Sequence, residues 1–341
     1  MSRPPHVVIV GAGLAGTSAA AVFVEAGWRI TLIDKAGKPG GRCATRRVAR
    51  DADSAWFDYG AQYFTAADTH FRALVETDLG TGHLQRWSPR IGVAERGPNG
   101  WQITASPDSR ERFVAPTGLN HWVRHRLACT GIDADCGQRA SAITRLDQVW
   151  QVHCDNGVRH TDANALLITV PPVQARELLG ERAAQFDALV GATTALRACH
   201  SWVVRTPALD FEGLFCKGGN LAWCADNSHK AGATSTPHRL WTLHASPEFS
   251  EQHVEATPDA IRALLVDEFA AVTGQSPSDL DAVHGHRWRY ARPGDGAPPG
   301  DTGYALDAQD RLALVGDWLC GGRVEGAWSS GRLAALALLG A

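Results

Sequence analysis

The sequence predicts an α/β fold in which a parallel-sheet unit is interrupted by an inserted α+β unit. Three observations carry this. A β-branched run, Val7–Val10, leads into Gly11, Gly13 and Gly16 at G-x-G-x-x-G spacing. A second short apolar strand follows and ends on Asp34. A third strand signal, Leu312–Val315, with a glycine-rich turn and a helix behind it, lies at the far end of the chain. The unit that opens near residue 7 is therefore completed by the last thirty residues.

The first motif has a physical reading. Gly11 permits a tight turn, Gly13 lets backbone approach a pyrophosphate, and Gly16 lets the helix pack on the sheet. The helix N-terminus then points unpaired amides and a positive dipole end at phosphate. The pattern predicts a helix over 17–26, stopped by Gly27, and a strand over 29–33. Asp34 stands 18 positions after Gly16, where a carboxylate accepts hydrogen bonds from a ribose. Residues 7–24 carry no charge, yet three glycines and Glu25 argue against a membrane span or a signal peptide. This opening is Rossmann-like.

Further along, Thr117–Leu127 reads as a helix with Thr117 as its N-cap. Short strands are expected near Ile132, at 142–146, 149–154 and 165–170, with a hairpin turn at Asp155-Asn156-Gly157. A helix is expected over 173–190, after Pro171-Pro172, and an amphipathic one over 258–272. The stretch 291–303, rich in Gly and Pro, reads as a linker, and a last helix spans 325–339. The domain division that follows is 1–75, 116–172 and 309–341 for the nucleotide unit, with 76–115 and 173–308 for the inserted, substrate-binding unit.

The chain has 341 residues, 44% of them hydrophobic, and a net charge of −3. That balance gives no bulk field for nucleic acid or an anionic membrane. The eight cysteines include no C-x-x-C pair, so reduced thiols in a cytoplasmic setting are expected. The fourteen histidines show no metal-ligand spacing, and no metal site is expected. Only four lysines occur: Lys35, Lys38, Lys217 and Lys230.

In the closing block, GDWLCGGRVEGAWSSG (316–331), Asp317 ends a strand where it can accept hydrogen bonds from a sugar-alcohol chain. The helix start at Glu325-Gly326-Ala327 offers amides to an electron-rich ring edge. Three blocks together, GAGLAG…LIDK…GGRCATRR (11–47), FDYGAQYFTA (57–66) and the 316–331 block, resemble the renalase branch of the FAD-dependent amine oxidase superfamily. GLNHWVRHRL, LITVPPVQARELL and HRWRYARP are similar to that branch too. The resemblance implies FAD, with Gly11, Gly13, Ala15 and Gly16 at the pyrophosphate and Asp34 and Lys35 at the ribose end. It places Gly41 and Arg42 against pyrophosphate charge, and Gly60, Ala61, Gln62 and Tyr63 beside the flavin ring. Ile143 would support the adenine, and Gly316, Asp317, Val324, Glu325 and Ala327 would hold ribitol and ring.

The reaction implied is oxidation of 2- and 6-dihydro isomers of NAD(P)H to NAD(P)+, with O2 reduced to H2O2. A dihydropyridine is already a hydride donor, so the site needs positioning more than a general base. The expected pocket residues are Gln62, Tyr63, Trp288 and Tyr290, with Arg289 or Arg292 available to a substrate phosphate. Cys320, inside the flavin block, is expected as a packed free thiol rather than a covalent flavin link. An amine oxidase is the alternative; it would need a lysine near the flavin and an aromatic cage, and neither Lys217 nor Lys230 sits in such a motif. A desaturase of an apolar substrate, or a non-catalytic FAD-binding protein, would also carry these cofactor motifs.

Overall fold

A computed structural model describes residues 3–50, 53–190, 196–230, 238–294 and 302–340. A six-stranded sheet organises the nucleotide unit, in the order Tyr304–Asp307, Leu312–Val315, Ala165–Ile168, His6–Val10, Arg29–Asp34, Ala134–Cys136. Its strands pair in parallel except Tyr304–Asp307, which is antiparallel to its neighbour. Alternation along the first strand sends Val7 and Ile9 to one face and Val8 and Val10 to the other. On the first face they pack with Ala19 and Phe23 of the helix Leu14–Glu25, and with Ala334 and Leu338 of the helix Val324–Leu339. On the other they meet Trp150, Val152, Leu178 and Phe186.

The nucleotide helix starts at Leu14, three residues earlier than expected, so Gly16 lies inside it. Glycine weakens a helix interior by about 1 kcal/mol. The reason for keeping it is a close approach: a Cβ on Gly16 would stand 2.0 Å from the Gly11 carbonyl oxygen. Gly331 does the same between the two helices, where an added Cβ would stand 2.0 Å from the Ala15 carbonyl oxygen.

The expected domain boundaries shift. Residues 173–190 are expected in the inserted unit, but Ala175, Leu178, Leu179 and Phe186 join the core cluster of the six-stranded sheet. The strand Tyr304–Asp307 also closes the edge of that sheet, because its partner Leu312–Val315 leaves an edge to be paired. The helix expected over 173–190 is broken into Pro172–Leu179 and Ala183–Val190 by a tight turn at Gly180–Arg182. Thr117 is not an N-cap: the helix runs Leu119–Ala128 and is preceded by Gly118, whose φ of +96° suits glycine. Of the expected linker, residues 291–293 belong to the long strand Asp281–Pro293, and 295–301 lie outside the described residues.

A seven-stranded sheet forms the inserted unit, in the order Asp281–Pro293, Leu196–Thr206, Arg239–Ala245, Leu221–Asp226, Gly213–Lys217, Ile91–Gly97, Gly100–Ala105. One face is covered by the helix Pro258–Thr273 through Ile261, Leu265 and Phe269. The hairpin Thr45–Arg50 and Asp53–Asp58 packs on the sheet through Phe57, against Val203 and Leu240.

Gly331→Ala should destabilise the protein by about 1–3 kcal/mol, because overpacking forces two helices apart. Gly80→Ala, where an added Cβ meets nothing within 4 Å, should be neutral or slightly stabilising. Urea midpoints of both variants check this, and equal midpoints would contradict the close-packing argument.

Candidate functional site

The nucleotide cradle is built from backbone. No side chain caps the N-terminus of Leu14–Glu25, whose cap residue is Gly13. The turn at Gly40-Gly41 comes close to it: a Cβ on Gly41 would stand 3.3 Å from Gly13 Cα. Asp34 brackets this turn, its two carboxylate oxygens accepting from the amides of Ala12 at 2.7 Å and Ala36 at 2.8 Å. Lys35 is exposed beside it, and Ala15 is buried under the last helix. Ile143 packs on the same core cluster as Val8 and Ile33.

At the other end of the cradle, Arg42 and Asp317 meet each other. Arg42 donates to both carboxylate oxygens of Asp317, at 3.0 Å from Nη1 and by a shorter contact from Nη2, and to the Ala291 carbonyl at 3.1 Å. The expected phosphate ligand and the expected ribitol ligand are thus an ion pair. Gly316 precedes Asp317, and its amide donates to Ser330 Oγ at 2.9 Å. No side chain caps the helix that starts at Val324. Glu325 turns away from that helix end and accepts from the amides of Ala67 and Asp68, at 2.7 Å from Ala67. Val324, Ala327 and Ala61 share one apolar cluster with Leu14 and Cys43.

This donor set fits a flavin dinucleotide. Two helix N-termini without side-chain caps suit a pyrophosphate and an electron-rich ring edge. The close-set glycines leave backbone alone at the phosphate turn, and carboxylates stand at two strand ends for sugar hydroxyls. Cys320 is a free, half-buried thiol that burial pushes above its ordinary pKa, so it is held neutral.

Residues 58–63 connect the cradle to the inserted sheet, and a buried cluster fixes them. Asp58 and Lys230 are fully buried and paired at 3.1 Å. Lys230 Nζ also donates to Asn227 Oδ1 at 2.7 Å and Gln62 Oε1 at 3.2 Å, so all three ammonium donors are used. The other oxygen of Asp58 accepts from the Leu119 amide at 3.0 Å and from Thr45 Oγ1 at 2.5 Å. Its backbone carbonyl accepts from Gln62 Nε2 and Thr242 Oγ1, each at 2.6 Å. Burial pulls the Lys230 ammonium below its ordinary pKa, and Asp58 opposes that shift.

The expected pocket residues do not come together as a set. Gln62 points inward to Lys230. Tyr63 joins a different ring cluster, 5.4 Å from Trp223 and 5.7 Å from Trp87 between ring centres. Trp288 does line a half-buried wall: it stacks on Tyr59 at 5.4 Å and donates from Nε1 to the Tyr59 carbonyl at 3.0 Å. His286 meets Trp288 at 4.3 Å and Tyr59 at 5.1 Å, and His284 meets Tyr59 at 5.2 Å. Tyr290 follows Trp288 where the strand register shifts and does not join its ring contacts, and Arg42 reaches the next residue. Arg289 lies on the opposite face, paired with Glu255 at 2.7 Å.

Sequence reasoning missed Asp58, Asn227, Tyr59, His284 and His286, and it weighed Lys230 only as an amine-oxidase lysine and set it aside. The signal for the histidines was the i, i+2 spacing of 284, 286, 288 and 290 along one strand. No signal paired Lys230 with Asp58, 172 residues away. Among the described residues, no cluster of three or more metal-ligating side chains occurs. No helix of the described residues is long and apolar enough to cross a membrane.

Comparison with known proteins agrees with this architecture. Residues 9–77 match the family model of an NAD(P)-binding Rossmann-like domain. Over 50 residues the chain is 46% identical to an L-amino-acid oxidase of Daboia russelii, covering 15% of this chain and 10% of that one. The match thus spans a tenth of that relative's length. A solved structure from Exiguobacterium sp. 255-15, provisionally assigned as a protoporphyrinogen oxidase, aligns over 100% of both chains with TM-score 0.76 and 12% identity. Putrescine oxidase bound to putrescine aligns over 99% of this chain and 100% of that one, with TM-score 0.69 and 14% identity. The family match is confined to residues 9–77, and the likeness to the solved structures, at 12% and 14% identity, is one of fold along the whole chain.

Asp58→Asn strands a buried ammonium and should cost about 3–5 kcal/mol. Lys230→Met should cost less, because Asp58 keeps two donors on its other oxygen. The double variant should recover part of the Asp58→Asn loss. Urea unfolding of the three proteins gives the cycle, and strictly additive losses would show that the pair is not coupled.

Acid should also weaken the fold. Burial holds the imidazoles of His6, His244 and His284 neutral down to about pH 4, below the ordinary value of 6.5. Between those values the unfolded chain takes up protons that the fold refuses. Stability is therefore full above about pH 6.5 and falls toward pH 4. Asp226, raised by burial to about 6, opposes this with the opposite sign but is one group against three. His244→Gln should flatten the fall in urea midpoint from pH 7.5 to pH 5; an unchanged slope would remove His244 from the account.

Proposed function

We propose that this protein is a renalase-like, FAD-dependent oxidase of dihydronicotinamide dinucleotides, using O2 as the electron acceptor. The observation that carries the reading is the ring wall of Tyr59, His284, His286 and Trp288, built on the segment that leads into Gly60-Ala61. Burial lowers the pKa of all three nearby imidazoles, His244, His284 and His286, and no carboxylate stands close enough to raise any of them. The wall is aromatic and neutral, with Tyr59 and Trp288 stacked at 22° and the imidazoles of His284 and His286 set edge-on to Tyr59. It suits a flat neutral heterocycle held by stacking.

Bound FAD would accept a hydride from a dihydropyridine and pass the electrons to O2, forming H2O2. The chain's own work is binding and orientation. Gly13, Gly41 and the amides after them would hold the pyrophosphate, and Asp34 the adenosine ribose. The amide end of the 324–339 helix would favour negative charge on the ring it faces. Trp288 and Tyr59 would set the plane of the substrate ring. The Lys230 cluster would keep 58–62 in register with that plane.

A second reading, oxidation of an amine, is favoured by the likeness to putrescine oxidase and L-amino-acid oxidase. Lys230 supports it less than its burial suggests. Its three donors are taken by Asp58, Asn227 and Gln62, which leaves none for a water or a substrate nitrogen.

Anaerobic mixing of the FAD-loaded protein with 2- and 6-dihydro-NAD(P), putrescine and L-amino acids separates the two. The dihydro isomers should bleach the flavin, at a rate nearly flat with pH around neutrality, because no proton leaves before the hydride. An amine must first lose its ammonium proton, so its rate would rise with pH. Trp288→Ala should slow reduction while FAD stays bound. An amine that reduces the flavin faster than every dihydro isomer would overturn the proposal.

A further inference from the structure

The ring wall is longer than a nicotinamide needs. His284, His286 and Trp288 share one face of the strand Asp281–Pro293, which is at the edge of its sheet. At about 3.3 Å per residue, the row from 284 to 288 extends roughly 13 Å. Its inner end is tied to the cradle, since Arg42 donates to the carbonyl of Ala291, three residues on, and pairs with Asp317. Its outer end is cationic. Arg46 pairs in register with Phe57, and its Nη1 lies 3.4 Å from His284 Nδ1. Phe57 meets the His284 ring at 5.7 Å, so Arg46 stands over the end of the row.

Arg46 has no carboxylate partner among the described residues. The arginines expected at a substrate phosphate behave differently: Arg289 is engaged by Glu255 on the far face of the strand. A row of rings with one cation at its far end matches a particular shape of ligand. That shape is a flat ring, a linker of several ångströms, and an anion.

We infer that Arg46 and His284 form an anion subsite for a phosphate of a dinucleotide substrate whose reacting ring lies toward Trp288. The inference rests on the proposed substrate class and extends it: the protein reads the length of the ligand as well as its ring. The pyrophosphate and a 2′-phosphate share this chemistry. Arginine suits either, since its planar fork matches phosphate oxygens. His284 adds an imidazole N–H, and the rings between give stacking without charge.

Calorimetric titration of the FAD-loaded protein with NAD+, NADP+ and the phosphate-free nicotinamide riboside tests this without turnover. In the parent protein the dinucleotides should bind more tightly than the riboside. Arg46→Gln should weaken dinucleotide binding about tenfold, the loss of one charged hydrogen bond, and leave the riboside unchanged. A loss confined to NADP+ assigns the 2′-phosphate to the subsite; a loss on both assigns the pyrophosphate. Unchanged affinity for both dinucleotides in Arg46→Gln, or an equal loss for the riboside, would overturn the inference. The reduction assay is separate: flavin bleaching by dihydro isomers alongside an indifferent Arg46→Gln would sink the subsite alone. If no dihydro isomer bleached the flavin but Arg46→Gln still lost NAD+ affinity, the proposed reaction would fail and the subsite would stand.

Discussion

One buried carboxylate holds the two halves of the molecule in register. Asp58 ends a hairpin strand, caps the helix Leu119–Ala128 through the Leu119 amide, and neutralises Lys230 beside the inserted sheet. Each task needs an anion: helix amides carry partial positive charge, and a dry ammonium is tolerable only when paired. A neutral residue of the same shape could serve the helix end in part but not the ammonium. The chain runs from Asp58 straight into Tyr59-Gly60-Ala61-Gln62. In the proposed reading, the part of this segment that would face the flavin ring inherits its position from this contact. Gln62 reinforces it by donating to the Asp58 carbonyl while accepting from Lys230.

The cradle follows a different logic, in which side chains are removed or occupied and backbone is left to bind. Gly13 and Gly41 present bare Cα atoms to each other, and Asp34 secures the turn through backbone amides. Arg42 and Asp317 answer each other across the far end. That pair is only partly screened by solvent, and its two members are the groups that phosphate and sugar hydroxyls would otherwise engage. Cofactor binding in this geometry exchanges one set of charged contacts for another. Its net gain then rests on the helix ends and the shape of the groove more than on the ion pair.

How much of this was legible in the sequence depended on distance along the chain. The strand-glycine-helix-strand opening was readable because each signal lies within thirty residues of the next. The closing strand and helix were readable because apolar alternation and glycines mark them locally. The division into units was less so: 173–190 reads as part of the insertion, yet its apolar face completes the nucleotide core. Nothing local says which sheet a short helix covers. Gln62 and Tyr63 read as one feature, but adjacent residues in extended chain point to opposite sides, one to Lys230 and the other to Trp223. The pairing of Asp58 with Lys230 was invisible for a simpler reason: a charged residue reads as a solvated one until its partner is in view.

The absence of net charge at the ring wall has consequences for selectivity. The Lys230 ammonium is balanced by Asp58 at 3.1 Å, so the cluster behind the wall attracts neither sign strongly. The imidazoles in front of it stay neutral because burial disfavours their cations and Arg46 adds repulsion at His284. An ammonium brought against this surface would lose hydration and gain little more than ring-face attraction, worth about 0.5–2 kcal/mol. A neutral dihydropyridine loses little hydration and keeps its stacking. Negative charge on the ligand is welcome only at a distance, where Arg46 stands at the mouth of the row. The substrate class proposed above, a neutral reacting ring joined to a remote anion, meets both conditions at once, whereas a small amine is neutral only after losing its proton and carries no remote anion. Selection of this kind comes from what the wall declines to stabilise, and it needs no residue that performs proton transfer.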